Sequence, residues 1–575
     1  MKFTRGHFIQ RIQNEPSWDL LIIGGGSTGL GCALDAASRG LKVLLVEQED
    51  FAKGTSSRST KLVHGGVRYL AQGNIALVRE ALYERGLMLR NAPHLVSRQS
   101  FVIPCYDRWS TLKFLAGLKI YDWLAGRQSF GSSSFLSPQK VIQHLPGINP
   151  NGLKGGIEYF DGQFDDARFA INLAQTSAEK GGTLVNYMKV VGLSKTPNGK
   201  LNGAILFDLE SRKKLTVHAK AVINATGIFV DEILDMDVPG RQPLVRPSQG
   251  IHLVLPLSFL KGQSALMIPK TTDGRVLFAV PWHGHLLLGT TDTPLDKHNI
   301  EPRALEEEIE FILKNARQYL QYPPERKDIL SIFAGLRPLA APTRGQQHVT
   351  KEISRSHKLI THPSGLITIT GGKWTTYRRM AQDTVDQAIR TAGLPFTPCV
   401  TQHLHIHGHM APLVHSHTDT SVPGRTALPN HSQTNTTGHN QADIPSNAIA
   451  SVEDPLAIYG SDAAGIQLLI AQRPELEEPL LQGLPYTKAQ VVWAVQMEMA
   501  RTVEDVLARR LRLLFLDAAA AIKAAPATAA LMAAELQKDP TWQFRQLRSF
   551  IKLACGYSAQ SIPQPSQQPI TMEVN

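Results

Sequence analysis

The first strongly patterned segment of the chain lies near its N-terminus. An unbroken apolar run over residues 20–23 is followed by closely spaced glycines and by a helical pattern that ends at Arg39 and Gly40. A second apolar run covers residues 43–46 and ends at Glu47. Short apolar runs bounded by glycine are typical of buried strands, and a glycine after a helical pattern is typical of a helix end. The pattern predicts strand, turn, helix and strand within about thirty residues.

Similar strand-like runs recur far along the chain. Residues 220–227, KAVINATG, and residues 366–378, LITITGGKWTTYR, each predict a short strand that ends in small residues. Between them, residues 240–330 contain the runs GIHLVLPL and RVLFAVPWHGHLLLGTTD and then the acidic helical segment EPRALEEEIEFILKNARQYL. Strands placed in this way between two segments of an α/β domain predict an inserted antiparallel sheet.

These elements predict an α/β protein with several domains, since 575 residues are more than one core usually fills. A discontinuous nucleotide-binding domain is interrupted by a second domain and followed by a helical C-terminal domain. The predicted boundaries are 17–105, 155–240 and 330–390 for the nucleotide-binding domain, 106–154 and 241–329 for the inserted substrate domain, 400–452 for a polar His-rich linker and 453–560 for the helical domain.

Three glycines and one acid indicate the ligand of the first unit. Gly24, Gly26 and Gly29 fit the pattern G-x-G-x-x-G of Rossmann-like domains, in which glycine permits a tight turn and close approach to a pyrophosphate. Glu47 follows Gly29 by 18 residues, where a carboxylate can accept hydrogen bonds from a ribose. The motif predicts a bound dinucleotide and leaves FAD and NAD as alternatives.

Two later strand ends favour FAD. Ala225 and Gly227 end one predicted strand, and Gly371 and Gly372 form the turn after another. Open α/β sheets bind their ligands at the carboxyl ends of strands. Because NAD domains are more often contiguous, a nucleotide-binding unit whose later strands are separated by an inserted domain favours FAD.

Composition and charge narrow the class of protein. Apolar residues make up 42% of the chain, and its four cysteines form no CxxC, which excludes a disordered polymer, a disulfide scaffold and a cysteine zinc site. The formal charge is +11, and residues 51–150 carry 13 basic against 4 acidic side chains. No basic tract has the interleaved aromatics of a binding module, so no nucleic-acid partner is predicted. We expect neither a membrane span nor secretion, because no apolar run is long enough and no signal-peptide core is evident.

A series of motifs that begins shortly after Glu47 carries a family resemblance. Through these motifs the chain resembles the FAD-dependent glycerol-3-phosphate dehydrogenases of the respiratory, membrane-associated type. The resemblance covers about residues 17 to 390 and resumes in the C-terminal region. It implies an FAD-binding domain of the glutathione-reductase/D-amino-acid-oxidase type, with Ser56 and Ser57 at the cofactor. The motifs are GTSSRSTKLVHGGVRYL at 54–70, FDDARF at 164–169, INATG at 223–227, SQGIHLVL at 248–255, LLGTTDTP at 287–294, GLRPL at 335–339, GGKWTTYR at 371–378 and RTVEDVLARRLRLLFLD at 501–517.

The resemblance also implies a reaction. The enzyme would oxidise sn-glycerol 3-phosphate to dihydroxyacetone phosphate, transfer a hydride to FAD and pass the electrons to a membrane quinone. Two alternatives stay open: an oxidase of the same superfamily that gives its electrons to oxygen, and a non-catalytic flavoprotein that serves as a redox sensor.

A small phosphate dianion needs several fixed cations, and arginine suits phosphate oxygens because it makes bidentate contacts. His64 is the candidate for accepting the proton of the substrate hydroxyl, because the ordinary pKa of histidine lies near the working pH. Arg337 and Lys373 are alternatives, as groups that polarise the developing alkoxide. The predicted substrate contacts, all in or near the matched motifs, are Arg68, Tyr69, Thr290, Arg337, Arg355 and Lys373.

Residues 107–127, DRWSTLKFLAGLKIYDWLAGR, combine aromatic and aliphatic residues with flanking cations. This composition is typical of an interfacial helix that meets anionic lipid, and an ordinary core helix with a basic rim is the alternative. Together with a quinone acceptor, the first interpretation predicts a cytoplasmic protein bound peripherally to the inner face of the cytoplasmic membrane. The C-terminal helices predict a cap on the FAD domain or the contacts of a homodimer.

Eight histidines lie between His403 and His439, including H-x-H-x-H-x-H at 403–409. Histidine-rich tracts can bind metal, but this one has no paired carboxylate or cysteine. A disordered linker is therefore the preferred interpretation, and no metal site is predicted.

Overall fold

The computed structural model describes residues 3–67, 70, 73–340, 357–410 and 454–559. The predicted substrate contacts Arg68, Tyr69 and Arg355 lie outside these described residues. The helices are α1 (Arg5–Asn14), α2 (Ser27–Ser38), α3 (Ile75–Asn91), α4 (Arg108–Ala125), α5 (Pro138–His144), α6 (Asp166–Glu179), α7 (Val230–Asp237), α8 (Glu306–Tyr319), α9 (Tyr377–Ala392), α10 (Ala463–Gln472), α11 (Lys488–Met497), α12 (Leu513–Leu516), α13 (Ala518–Leu536) and α14 (Pro540–Ala554).

The strands divide between two large sheets. They are β1 (Trp18–Ile23), β2 (Val43–Val46), β3 (Leu62–Val63), β4 (Val96–Cys105), β5 (Ser134–Leu136), β6 (Gly155–Phe164), β7 (Thr183–Val185), β8 (Met188–Lys195), β9 (Leu201–Asp208), β10 (Lys214–Asn224), β11 (Val245–Pro256), β12 (Ala265–Ile268), β13 (Leu277–Trp282), β14 (His285–Gly289), β15 (Thr293–Pro294), β16 (Ser331–Ala340), β17 (His357–Thr361) and β18 (Ile367–Gly371).

The first sheet is assembled from strands that are far apart in the sequence. Its order is β17-β18-β10-β1-β2-β7, and β18, β10, β1, β2 and β7 run parallel. Strands β8 and β9 extend from β10 as an antiparallel meander. Helix α2 packs against α6 and α9, so the apolar residues 20–23 of β1 are buried. This arrangement confirms the predicted α/β fold with a discontinuous nucleotide-binding domain.

The second sheet is almost wholly antiparallel. Its order is β15-β11-β14-β13-β12-β4-β6-β3, with β16 paired to β11 and β5 paired to β6, and only β12 and β4 run parallel. Strands β4, β6 and β16 belong to this sheet, although the sequence boundaries place them in the nucleotide-binding domain. Local apolar runs indicate a strand but not its pairing partner, so the boundaries at 105, 155 and 330 divide the second sheet.

The C-terminal helices cover the second sheet. Residues of α11, α13 and α14 form one apolar cluster with Val254, Trp282, Leu287 and Phe333 of that sheet. The sequence had offered a cap on the FAD domain or dimer contacts for this region. The structure shows that it contacts both other domains: its apolar residues pack on the inserted sheet, and its buried ion pairs reach the nucleotide-binding domain.

Helix α13 is, within the part of the chain that the structure describes, the single helix long and apolar enough to cross a membrane by length and composition alone. No uninterrupted apolar run marks this helix in the sequence, because Lys523 and Glu535 lie within it. Its Ala525, Ala529 and Met532 are buried against the neighbouring C-terminal helices.

The C-terminal region also makes buried ion pairs with the nucleotide-binding domain. Asp50 binds Arg509 at 2.6 Å and also binds Arg510, and all three side chains are almost completely buried. Burial alone would raise the pKa of Asp50, but the two guanidinium groups outweigh it and hold the pKa below its ordinary value. Lys53 in the same segment pairs with Glu301 at 2.9 Å and with Glu504.

The beginning of the predicted linker is folded. Ile406 is buried, and His407 contacts Glu179 Oε1 at 2.5 Å and Asp462 Oδ2 at 2.9 Å. Burial alone would lower the pKa of His407, but the hydrogen bonds to the two carboxylates raise it to about 9. The prediction of a disordered linker is therefore wrong for residues 400–410, because composition does not reveal these long-range contacts. Residues 411–453 lie outside the described residues.

Candidate active site

A long cavity follows the edge where the two sheets meet. The carboxyl ends of β1, β2, β10 and β18 line one side of it, and β11 and β16 of the second sheet line the other. Because parallel strands all end at the same edge, the sequence-distant glycines of the first domain converge there. Gly24, Gly26, Ala225, Gly227, Gly371 and Gly372 all border this cavity.

The turn after β1 has no room for side chains. Gly24 has φ of +110°, and a Cβ at this position would lie 2.7 Å from the carbonyl oxygen of Ala225. A Cβ on Gly29 would lie 1.9 Å from the carbonyl oxygen of Gly24. These contacts explain why the turn and the first turn of α2 require glycine, since any side chain would displace backbone atoms.

The N-terminus of α2 opens into the same cavity. The amide of Ser27 donates to Ser56 Oγ at 2.9 Å, and Ser56 borders the cavity beside Gly26. The indole nitrogen of Trp374 donates to the carbonyl oxygen of Ser56 at 2.8 Å and holds that segment in place. Free backbone amides and the positive end of the helix dipole make this a site for a phosphate group.

Glu47 lies at the end of β2, beside the glycine turn. Its carboxylate accepts from the amide of Gly25 at 2.6 Å and from the amide of Glu49 at 2.9 Å. Burial raises the pKa of Glu47 to about 7, against the opposing effect of these two amides. The carboxylate is thus oriented by the backbone and is ready to accept hydrogen bonds from a sugar.

These groups fit the central pyrophosphate and one ribose of a dinucleotide. The close-packed glycine turn and the α2 N-terminus would hold the pyrophosphate, and Glu47 would hold a ribose. Gly371 and Gly372 both have positive φ, near +75°, and bring the backbone of the β18 turn to the opposite wall. The chain therefore offers contacts for the pyrophosphate and a ribose of such a cofactor.

The far end of the cavity carries cations and histidines. His64, Arg337 and Lys373, the three predicted catalytic residues, all border it. Arg337 is oriented from behind, because its Nη2 donates to Thr290 Oγ1 at 3.2 Å and its Nη1 lies 3.4 Å from Asp292 Oδ1. Thr290 itself does not border the cavity, so it supports Arg337 and is not a wall of the predicted substrate site.

His252 is a site residue that the sequence reasoning missed. Its ring borders the cavity, stacks on Phe333 with centroids 4.8 Å apart, and places Nε2 2.9 Å from Thr60 Oγ1. Burial, with the charges of Lys61 and Arg337, lowers the pKa of His252 well below its ordinary value, so the imidazole is neutral. The available signal was the motif at 248–255, in which this histidine interrupts an apolar strand.

Ser57 is the predicted cofactor residue that the structure places elsewhere. It is buried and absent from the residues that border the cavity, and its carbonyl oxygen accepts from Lys61 Nζ at 2.7 Å and from Arg512 Nη2 at 3.0 Å. Successive residues of a short turn face different directions, so Ser56 reaches the cavity and Ser57 does not.

Within the described residues, no group of three or more His, Cys, Asp or Glu side chains is arranged to hold a metal ion. The candidate chemistry of the cavity therefore rests on the dinucleotide contacts and on the histidines and cations beside them.

The fold and the cavity define a flavin-dependent oxidoreductase. Residues 19–378 match the family model described as FAD dependent oxidoreductase, and residues 367–543 match the C-terminal domain of alpha-glycerophosphate oxidase. The first match covers more than half of the chain and confirms FAD as the cofactor.

Curated relatives define the family more closely. The mitochondrial glycerol-3-phosphate dehydrogenase of Saccharomyces cerevisiae is 36% identical over 96% of this chain and 91% of its own length, and that of Homo sapiens is 38% identical over 96% and 75%. The structure of a glycerol-3-phosphate dehydrogenase from Bacillus halodurans complexed with FAD has a TM-score of 0.74 and 27% identity, and covers 98% of this chain and 99% of its own. The chain belongs to the family of FAD-dependent glycerol-3-phosphate dehydrogenases, as the motifs predicted.

Proposed function

We propose that this enzyme oxidises sn-glycerol 3-phosphate to dihydroxyacetone phosphate at the far end of the cavity. The observation that carries the proposal is one continuous cavity that joins the dinucleotide contacts to Arg337, Lys373, His64 and His252. The names of the relatives support the same substrate. A dianionic phosphate and a secondary alcohol need this combination of fixed cations and a proton acceptor.

The side chains at the far end of the cavity have separate roles. Arg337 and Lys373 bind and orient the phosphate, and the second sheet closes the cavity from the side opposite the cofactor. The imidazole of His252 or of His64 accepts the hydroxyl proton as the carbon loses its hydride. When bound, FAD supplies the hydride acceptor.

Anaerobic titration with glycerol 3-phosphate tests this proposal. We expect the absorbance of oxidised flavin near 450 nm, a general property of flavoproteins, to bleach with one equivalent of substrate per flavin. Glycerol, which lacks the phosphate, serves as the control and should leave the spectrum unchanged at the same concentration. A flavin that stays oxidised with glycerol 3-phosphate would instead favour the non-catalytic redox sensor.

We further propose that the electrons pass to a membrane quinone and that α4 brings the enzyme to the membrane. The outer face of α4 carries Trp109, Leu112, Ile120 and Trp123, which are 84%, 61%, 50% and 78% exposed. Their spacing places them on one face of the helix. Lys113 and Lys119 are exposed on the same helix, as are Arg108 and Arg127 at its two ends.

This surface supports a peripheral position on the inner face of the cytoplasmic membrane. Two exposed tryptophans with flanking cations suit the headgroup region of anionic lipid, whereas exposure of this much aromatic surface to water is unfavourable. The alternative of an ordinary core helix with a basic rim does not explain why the tryptophans point outward. The opposite face of α4, with Leu118, Tyr121 and Ala125, packs into the protein.

Oxygen is the competing electron acceptor, and the match of the C-terminal region to alpha-glycerophosphate oxidase is the observation in its favour. Two measurements with glycerol 3-phosphate distinguish the two acceptors: oxygen consumption in the absence of quinone, and anaerobic reduction of a short-chain ubiquinone to the quinol. We expect turnover only with the quinone. Rapid peroxide formation without quinone would replace the dehydrogenase proposal with an oxidase.

A further inference from the structure

The loop that carries His64 is held by two hydroxyl groups. His64 follows β3 directly and lies in a stretch without regular structure. Its amide donates to Thr375 Oγ1 at 3.2 Å, and the next amide, that of Gly65, donates to the phenol oxygen of Tyr121 at 2.8 Å. Thr375 follows Lys373 of the FAD domain, whereas Tyr121 belongs to α4. Two neighbouring peptide groups are therefore fixed by different domains.

The direction of the Tyr121 hydroxyl is set by its second partner. Tyr121 is 2% exposed, and its hydroxyl donates to Asp161 Oδ2 at 2.7 Å. Asp161 Oδ1 accepts from Arg85 Nη1 at 2.7 Å, so the carboxylate is paired with a cation and acts only as an acceptor. The phenol proton must point to Asp161, which leaves a phenol lone pair for the amide of Gly65.

The loop also lies in close contact with these side chains. A Cβ on Gly65 would lie 2.5 Å from the Tyr121 oxygen and 2.7 Å from Leu82 on α3. Arg85 on α3 is held in turn by the carbonyl oxygen of Gln128 at 2.9 Å and by the ring of Phe130 at 4.0 Å. The hydrogen bond to Gly65 therefore rests on a buried and rigid support.

We propose that Tyr121 is a positioning residue that fixes the His64 loop and thereby places the imidazole at the substrate end of the cavity. Tyr121 does not itself border the cavity among the described residues, so it acts through Gly65. The inference rests on the proposed oxidation of glycerol 3-phosphate, in which His64 faces the substrate. Helix α4 would then have two roles. Its outer face meets the membrane, as proposed above, and its inner face holds the His64 loop through Tyr121.

The test compares Tyr121→Phe with Tyr159→Phe in the full-length holoenzyme. Tyr159 is similarly buried, but among the described residues its hydroxyl donates to no carboxylate or amide group and contacts Met267 Sδ at 3.4 Å. We expect Tyr121→Phe to lower the limiting rate of anaerobic flavin reduction about tenfold, because misplacement of a reacting group is costly. The dissociation constant of the substrate should change less, since Arg337 and Lys373 still hold the phosphate. Tyr159→Phe should reduce its flavin at the wild-type rate.

Two further readouts separate positioning from general damage. Hydrogen exchange of the peptide containing Gly65 should become faster in Tyr121→Phe, both with and without FAD, and stay unchanged in Tyr159→Phe. Combining Tyr121→Phe with His64→Asn should slow the flavin no more than His64→Asn alone, because both changes act on one imidazole. Should Tyr121→Phe lose its flavin, Asp161→Asn gives the second test, since it removes the group that orients the phenol.

A wild-type limiting rate in Tyr121→Phe overturns the proposal, as does a double variant whose loss is the product of the two single losses. If glycerol 3-phosphate does not reduce the wild-type flavin, the proposed function fails instead. The exchange of the Gly65 peptide then decides whether Tyr121 holds the loop, and unchanged exchange rejects it.

Discussion

The two histidines at the substrate end differ in what surrounds them. His252 lies within the second sheet, where burial and nearby positive charge keep it neutral, whereas His64 lies in a loop held by Thr375 and Tyr121. A group that must accept a proton has to be unprotonated before the substrate binds. The environment of His252 favours the neutral form, because burial and the nearby charges of Lys61 and Arg337 lower its pKa.

We expect His252→Asn to slow flavin reduction by glycerol 3-phosphate about a hundredfold, because general bases typically contribute at least this much. Stopped-flow absorbance under anaerobic conditions measures the rate. His285→Asn is the matched control, because His285 lies on the neighbouring strand β14 but does not border the cavity. Equal rates in the two variants would transfer the role of the proton acceptor to His64.

Glu47 makes the binding of FAD dependent on pH. Its pKa of about 7 means that a large fraction of the apoprotein carries a protonated carboxyl at neutral pH. Ribose hydroxyls donate to the ionised form, so FAD binding should release a proton and the affinity should rise between pH 6 and 8. Fluorescence titration of the apoprotein with FAD measures this. In Glu47→Gln the affinity should be lower and its dependence on pH should disappear.

At the scale of single residues, the sequence motifs located the site but did not reliably assign a role to each side chain in it. The glycines, Glu47 and Lys373 could be found because their motifs lie at strand ends of the first sheet, which meet at one edge. His64 and Arg337 could be found because they lie in motifs of the resembled family. Ser57 and Thr290 could not be placed, since the direction of a side chain in a turn depends on packing. His252 lay within the motif at 248–255, but its role could not be assigned, because a single histidine in an apolar strand has the same sequence pattern as a core residue.

At the scale of elements, α4 is unusual because both of its faces carry apolar residues. Its inner face packs on the protein, and its outer face exposes Trp109 and Trp123. Replacing both with glutamate should abolish cosedimentation with anionic vesicles while leaving flavin reduction intact. Phe396→Glu with Phe544→Glu, two exposed aromatics elsewhere on the surface, is the matched control. Full vesicle binding by the tryptophan variant would refute the role of α4.

Residues 400–410, the folded start of the predicted linker, make a contribution to the stability of the protein that depends on pH. The pKa of His407 is raised from its ordinary value of 6.5 to about 9, so its stabilising ion pairs are fully present below pH 6.5 and are lost as the pH rises through 9. The shift corresponds to at most about 3 kcal/mol, reduced because Glu179 is half exposed. Melting temperatures of the wild type and of His407→Gln should differ at pH 6.5 and converge near pH 10. A constant difference across this range would contradict the ion-pair account.

Single strands and helices could be predicted from the sequence more readily than the segments with which they pair in the fold. The strand-turn-helix-strand unit and the strands ending at Asn224 and Gly371 follow from apolar runs and glycines, both of which are local signals. The pairing of β4, β6 and β16 within the second sheet depends on contacts between distant segments, which no local pattern encodes. For the same reason, the contacts of His407 were invisible in a tract that looks disordered by composition.

At the scale of the whole molecule, the buried pairs of Asp50 tie the C-terminal region to the FAD domain. Asp50→Asn leaves Arg509 and Arg510 without their shared carboxylate in a site closed to water. We expect a loss of about 3 kcal/mol in stability, as for other buried pairs that lose one partner. Chemical denaturation followed by flavin release measures it. Asp19→Asn, whose partner Lys220 is half exposed, should cost less than about 1 kcal/mol. Similar losses in both variants would show that burial does not increase the contribution of the Asp50 ion pairs to the free energy of unfolding.

The parallel pairing of β1 with β10, and of β10 with β18, has a consequence for biosynthesis. At a translation rate of about 10 residues per second, roughly 20 s separate the emergence of β1 from that of β10, and about 15 s more pass before β18. During that interval the nascent chain presents open, apolar strand edges to solvent. The pairing of Asp50 comes later still, since Arg509 and Arg510 leave the ribosome after β18. A ribosome-bound chain that stops before β10 should therefore recruit chaperones and fail to retain FAD, however complete its glycine motif is.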